Sequence, residues 1–212
     1  FFAVGQYTSH MTGVVSALAD NLALGAAAMA AQLSGMLAAF MGGAAVSAIM
    51  INWARRKHPE RQYALPLALE GALILAFGGL GAAIGAQPLF VVPGAILLCF
   101  VLGLQNATIT KISSARMRTT HLTGMVTDMG IELGKALYAW TGGADVRRTV
   151  EPDWEKLKLL SRISGMFFIG GLSGALAFAL AGYWFTVPLS VLLFLFSVPR
   201  IVATEAEREP HE

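Results

Sequence analysis

The chain carries very little charge. Asp, Glu, Lys and Arg make up 13% of its 212 residues, against about 25% in a typical soluble domain. They are missing altogether from three blocks: none lies between Asp20 and Arg55, between Glu70 and Lys111, or between Arg162 and Arg200. Each helical residue rises about 1.5 Å and a bilayer core is about 30 Å thick, so about 20 apolar residues suffice to cross it. The first block has room for one crossing and the other two for two each, which excludes an ordinary water-soluble domain. Cysteine is almost absent too. Cys99 stands alone, which excludes a disulfide within one chain and a cysteine-based metal cluster; in an apolar helix it reads as a small interior residue. A net charge of +2, without basic residues interleaved with aromatics, gives no support for nucleic acid as a partner. No phosphate loop, zinc signature, dinucleotide fingerprint or nucleophile elbow occurs. No catalytic residue, metal or cofactor is therefore assigned, and an enzyme is not expected.

What is present is a series of apolar runs with polar punctuation. Residues 1–4 read as the tail of a truncated first helix. Residues 26–53 form a span closed by Arg55-Arg56-Lys57-His58-Pro59, cations and a proline that suit a helix C-terminus. Residues 64–85 and 90–107 form the next two spans, joined by the uncharged Gln87-Pro88 turn. A basic loop with Lys111, Arg116 and Arg118 follows, then a semi-polar helix over residues 120–140. Residues 142–158 are the most water-like stretch. Two further spans, 163–184 and 187–203, are joined by a short aromatic turn, and a charged tail occupies 205–212.

One polar phrase occurs twice. Ser9-His10-Met11-Thr12-Gly13-Val14-Val15 returns as Thr120-His121-Leu122-Thr123-Gly124-Met125-Val126. The likeness extends further: Gln32-Leu33-Ser34-Gly35-Met36 matches Arg162-Ile163-Ser164-Gly165-Met166, and both lead to a double glycine, Gly42-Gly43 and Gly170-Gly171. This is an internal repeat, with repeat one over 1–86 and repeat two over 87–204 in a single membrane domain of 1–212. The repeated unit is a span, the phrase with its helix, and two more spans. The expected fold is all-α: a polytopic helical membrane protein on a six-span plan, its first span truncated.

The positive-inside rule bears on whether the phrase helices cross. If they do not, all 15 Lys and Arg fall on one side. If they do, the seven up to Arg118 face the eight from Lys135 onward. The one-sided distribution favours short non-crossing or re-entrant His-x-Thr-Gly helices and a cytoplasmic C-terminus. Each repeat then holds three crossings, an odd number, so the two copies are inverted, a recurrent transporter plan.

Two readings stand for the phrase. A helix N-terminus with a hydroxyl and an imidazole suits a polar or anionic solute, with His10, Thr12, Gly13, His121, Thr123 and Gly124 as contacts for solute or proton. Alternatively Ser and Thr cap the helix, His bonds a carbonyl, and Gly permits close packing. Glu70 lies inside a span, where ionisable groups are functional candidates; its competing reading is snorkelling toward Arg55 or Arg56. Asp128 joins it as a supporting acid, one turn from Glu132, the alternative being a wetted helix face. Gln105 and Asn106 suit contact with the second phrase or a solute, or satisfaction of a helix end. The spacings Ala39-xxx-Gly43-xxx-Ser47, Gly81-xxx-Gly85 and Gly170-xxx-Gly174 read as close-packing seams.

At Ser9-His10-Met11-Thr12-Gly13, and at Leu104-Gln105-Asn106-Ala107 with Arg118-Thr119-Thr120-His121-Leu122-Thr123-Gly124, the chain resembles the YoaK-like family of bacterial membrane proteins, grouped under a domain of unknown function. The resemblance covers nearly the whole chain. It implies a bacterial inner-membrane protein of about six helices, sometimes labelled permease-like, and brings no substrate and no catalytic residue. The function expected is small-solute transport, with the lipid bilayer, a small polar or anionic solute and a second copy of the chain (a homo-oligomer) as partners. The alternative is a non-transporting membrane scaffold or regulatory partner that uses residues 142–158 as its handle.

Overall fold

The computed structural model describes residues 3–5, 7–57, 59–84, 88–112, 122–142 and 149–206. Among these the chain is helical and contains no strand. The helices are α1 (Met11–Ala23), α2 (Ala27–Lys57), α3 (Ala64–Ile84), α4 (Pro88–Ile112), α5 (Leu122–Thr141), α6 (Trp154–Ala181) and α7 (Thr186–Ala206), with three-ten turns at Pro59–Arg61 and Gly182–Phe185. Among the described residues four stretches are long and apolar enough to cross a membrane: Ala27–Lys57, Ala64–Ile84, Phe90–Ile112 and Trp154–Ser197. The last holds both helices read from sequence as the final two spans. α2, α3 and α4 are apolar on every side, as a helix surrounded by lipid and other helices has to be. α1 and α5 are two-faced instead, and neither is among the four.

The boundaries match the apolar runs closely, with two differences. Ala3 to Gly5 form a turn rather than the end of a helix. α6 begins at Trp154, inside the stretch expected to be water-like, because Asp153 caps it: the Asp153 carboxylate accepts from the backbone N–H of Lys156 at 2.9 Å, the bond expected of an N-cap residue. Two turns of charged helix therefore precede the apolar part of α6.

The chain divides into two compact units, one of residues 1–118 with 177–212 and one of 119–176. In the first, α2 packs along α4, α3 along α7 and also along α4, and α1 along α2. The α2–α4 seam is closed by glycine. A Cβ on Gly43 would run into the Phe100 carbonyl oxygen, and one on Gly103 into the Phe40 carbonyl oxygen. The two backbones are thus in reciprocal contact, the close approach that small residues permit between membrane helices. Further along the same seam, the Ser47 and Thr108 hydroxyls bond at 2.8 Å. Gly43 and Ser47 confirm one expected seam. Gly81 lies against the Tyr183 ring, whereas a Cβ on Gly170 or Gly174 would meet nothing within 4 Å, so that expected seam is open among the described residues.

α1 ends sharply. Gly25 takes φ +71, Ala26 N–H bonds Asn21 O at 2.8 Å, and Gly25 N–H bonds Leu22 O at 3.2 Å. This crossed pair of bonds around a left-handed residue is the Schellman stop, which glycine adopts without steric cost. The chain reverses there, and α2 runs back along α1. At the Gly182–Phe185 turn, Tyr183 stacks edge-on with Phe77, Phe90 and Phe178 at ring distances of 5.9, 5.8 and 5.3 Å, binding the end of α3 to the start of α4.

In the second unit, α5 and the start of α6 are joined by charge. Glu132 is only 2% exposed. It accepts from Lys135 Nζ at 3.0 Å and from the Asp153 backbone N–H at 2.9 Å, and Lys156 Nζ reaches Asp128 at 3.1 Å.

Candidate functional site

The first phrase builds the start of α1. His10 is the N-cap residue, with φ −95 and ψ 71, and its side chain makes no capping hydrogen bond. Its backbone does the local work: His10 O accepts from Val14 N–H at 3.1 Å, and His10 N–H donates to Tyr7 O at 3.3 Å. One turn on, Gly13 leaves room for the imidazole, since a Cβ there would lie 2.7 Å from His10 Nδ1. The phrase's glycine is thus the seat of its own histidine rather than a contact for another helix. Thr12 is exposed.

The depth of this element is set by a long-range contact. Thr8 is buried, and its carbonyl accepts from Cys99 Sγ–H at 3.4 Å. Cys99 stands about halfway along α4, roughly 17 Å from its Pro88 end at 1.5 Å per residue. Val4 and Val14 pack into the same cluster with Leu33, Met36, Ala95 and Cys99. α1 therefore begins beside the middle of a span-length helix and runs outward for 13 residues, roughly 20 Å, to the Gly25 reversal. It is a half-length helix whose N-terminus lies beside the middle of α4, with Thr8 and Val14 buried against the neighbouring helices and Tyr7 and His10 exposed.

A cavity of about 360 Å³ opens at this point, lined by Tyr7, His10, Gly13, Val14, Ala17, Asn21, Met29, Leu33 and Met36. Its polar groups are an imidazole, a phenol and an amide; Asn21 Nδ2 donates to Ala17 O at 2.7 Å. Among the described residues no charged side chain lines it. Tyr7 and Asn21 were not foreseen from sequence. Asn21 sits eleven positions after His10, on the face of α1 that carries Val14 and Ala17, and helical spacing alone places it there.

Glu70, Gln105 and Asn106 lie elsewhere and are not part of this cavity. Gln105 Nε2 donates to Glu70 Oε1 at 2.8 Å, joining α4 to α3. Thr108, one turn beyond Gln105, bonds Ser47 and also donates to Leu104 O at 2.9 Å. Glu70, Gln105, Ser47 and Thr108 make a polar layer where α2, α3 and α4 come together. Asn106 donates to Leu102 O at 2.8 Å within its own helix. Ser47 was read only as a packing residue and Thr108 was overlooked; both occupy helical rows (Gly43 to Ser47, Leu104 to Thr108) where a hydroxyl follows a close backbone contact.

Of the second phrase, Thr123 and Gly124 fall in the first turn of α5, and Thr123 O accepts from Thr127 Oγ1 at 2.9 Å. His121 lies outside the described residues. Asp128 is held in the ion pair with Lys156. Glu132, one turn from Asp128, is the centre of this group, bonded to Lys135 and to the Asp153 N–H. The Asp153 N–H first, and then Lys135, hold its carboxyl below the usual carboxylate range against the opposing effect of burial. A carboxylate with a depressed folded-state value stabilises the fold above its unfolded value, about pH 4.3, and that contribution disappears as pH falls through the lower folded value. Acidification into that window is expected to release the start of α6, read as faster amide exchange at residues 154–158 in the full chain. Glu132→Gln should show the fast exchange already at neutral pH. Equal exchange in both proteins at neutral pH would count against this role.

A family model described as "Protein of unknown function (DUF1275)" matches residues 1–198, in agreement with the YoaK-like resemblance. No curated protein and no solved structure matches the chain.

Proposed function

We propose that this chain, which belongs to the DUF1275 family of proteins of unknown function, is a small-solute transporter or permease-like protein of the bacterial inner membrane. The observation that carries the reading is the half-length helix α1, whose N-terminus lies beside mid-α4 and opens onto a cavity holding His10, Tyr7 and Asn21. Discontinuous helices that end inside the bilayer, next to a polar cavity, are how secondary transporters present a site at mid-depth. Non-helical backbone at that depth is tolerated where it is buried in protein or lines such a cavity; Thr8 and His10 meet those two conditions. In this reading the repeats 1–86 and 87–204 are inverted copies, α5 is the counterpart of α1, and the basic loops and C-terminus face the cytoplasm.

The cavity's composition narrows the solute. Six of its nine lining residues are apolar or glycine (Gly13, Val14, Ala17, Met29, Leu33, Met36), and the other three bring an imidazole, a phenol and an amide. This suits a small polar solute with an apolar body. Uptake of a panel of such solutes into proteoliposomes tests the reading. Wild-type protein is expected to accumulate at least one member, and His10→Ala combined with His121→Ala to lower its initial rate by on the order of tenfold or more, the effect of about 1.4 kcal/mol. Uptake of no panel member would sink the transporter reading, and unchanged uptake in the double variant would remove the two histidines from the site.

A further inference from the structure

The Glu70–Gln105 pair lies outside the solute cavity and has no part in forming it. Glu70 is 2% exposed. Its partner among the described residues is Gln105 Nε2, a neutral donor, and no cation among those residues lies within 4.0 Å of it. The groups on every packed element are few. α3 carries no other titratable residue. α4 offers Cys99, whose Sγ–H is given to Thr8 O, and Lys111, exposed at its end. α7 has none through Ser197. The Gly182–Phe185 turn has Tyr183, which sits at the opposite end of α3 against Gly81. α2 has Arg55, Arg56 and Lys57, all exposed in its last turn; Arg55 Nε donates to Gln62 Oε1 at 2.7 Å, and Lys57 lies 5.0 Å from the Trp53 ring.

A glutamine at position 70 could make the same single bond without an ionisable group. What distinguishes a carboxyl is that it exchanges a proton, and its two forms make different demands. The neutral acid is satisfied by one donor and one acceptor, whereas a carboxylate needs several donors, a cation or water. Gln105 supplies one donor, and its amide oxygen is an acceptor of the kind the acid requires. The depth is also telling. Glu70 lies six residues into α3, roughly 9 Å from the basic end by helical rise, and Gln105 lies the same six residues beyond Cys99. The pair therefore sits between the basic surface and the level at which α1 begins, with Thr108 of α4 and Ser47 of α2 extending the polar layer.

We propose that Glu70 is a proton-binding site that links the packing of α3 on α4 to pH. A proton adds to a Glu70 carboxylate oxygen, giving the neutral acid that closes the layer with Gln105. Loss of that proton to water leaves a carboxylate, and the layer opens to hydrate it. Its use as the coupling ion of transport rests on the transporter reading; the binding of the proton does not.

The test uses the full chain reconstituted in lipid. Infrared difference spectra across a pH titration are expected to show the C=O stretch of a buried protonated carboxyl, lost in Glu70→Gln and retained in Asp128→Asn. Gln105→Leu, which leaves the acid in place, is expected to shift the frequency of that band. Cys99, the single cysteine and fully buried, reports the opening. Its maleimide labelling, normalised to free cysteine at each pH, is expected to rise several-fold as Glu70 ionises and to be flat in Glu70→Gln. Absence of the carboxyl band in wild-type protein overturns the proposal whatever the variants do, and so does a band that survives Glu70→Gln. Failure to transport any solute, with the band present, overturns the transporter reading alone.

Discussion

Replacing Gly43 by valine is expected to force α2 away from α4 and to cost about 3 kcal/mol, the upper part of the range for overpacked interiors. The neighbour is the reason. A side chain at position 43 would meet the Phe100 carbonyl and the Leu104 backbone, and a helix backbone cannot rotate aside as a flexible side chain does. Relief requires the helices to separate along their length, which also pulls Ser47 from Thr108, whose hydroxyls are held at 2.8 Å. Gly103→Val, facing the Phe40 carbonyl, should do the same from the other side. Gly79→Val is the control: a Cβ there meets nothing within 4 Å, and valine replaces glycine in a helix with a propensity change of under about 1 kcal/mol. Unfolding in mixed micelles, followed by tryptophan fluorescence, would separate the two cases. Equal stability of the Gly43 and Gly79 variants would dismiss the seam as a determinant of the fold.

The second large effect concerns function with the fold preserved. Gly13→Ala places a methyl where the His10 ring lies, 2.7 Å from Nδ1, so the imidazole has to leave its seat. Alanine is favoured over glycine in a helix by about 1 kcal/mol, so α1 should be no less stable. The expected signature is therefore a split: unfolding unchanged or slightly improved and, under the transporter function proposed above, solute uptake reduced on the order of tenfold, equivalent to about 1.4 kcal/mol. If His10 is the only route by which Gly13 acts, adding Gly13→Ala to His10→Ala should produce no further loss, the non-additivity expected of residues that act as one unit. Additive losses would show instead that Gly13 contacts the solute or a helix directly.

Much of the fold was legible in the residues. Charge-free blocks placed α2, α3 and α4 within a few positions of their ends, because a helix that meets no water has no reason to carry charge until it leaves the apolar region. α6 was misplaced by nine residues because its opening turns, Trp154 to Arg162, have a loop-like composition; the signal that they were helical was Asp153, an N-cap three residues before Lys156. The site was legible in part. The repeated phrase drew attention to His10 and Gly13, and a carboxyl in a span drew attention to Glu70. Their local geometry was less accessible. Gly13 was expected as a solute contact or a close-packing position, and it is the histidine of its own phrase that lies against it, because spacing along a sequence specifies which side of a helix a residue occupies but not which group fills the space.

The sequence by itself determined that this is a helical, membrane-type chain, where α2, α3 and α4 lie within it, and that two more polar helices, α1 and α5, interrupt the apolar ones. These properties depend on hydropathy and capping within a few residues of each position. Only the tertiary structure decided that α1 starts beside the middle of α4, and that Glu70 meets Gln105 while Ser47 meets Thr108. Those outcomes rest on contacts between residues far apart in the chain, Thr8 with Cys99 and Gly43 with Phe100 among them. The interdigitation of backbone and side chains between helices chooses such partners, and no local pattern encodes it.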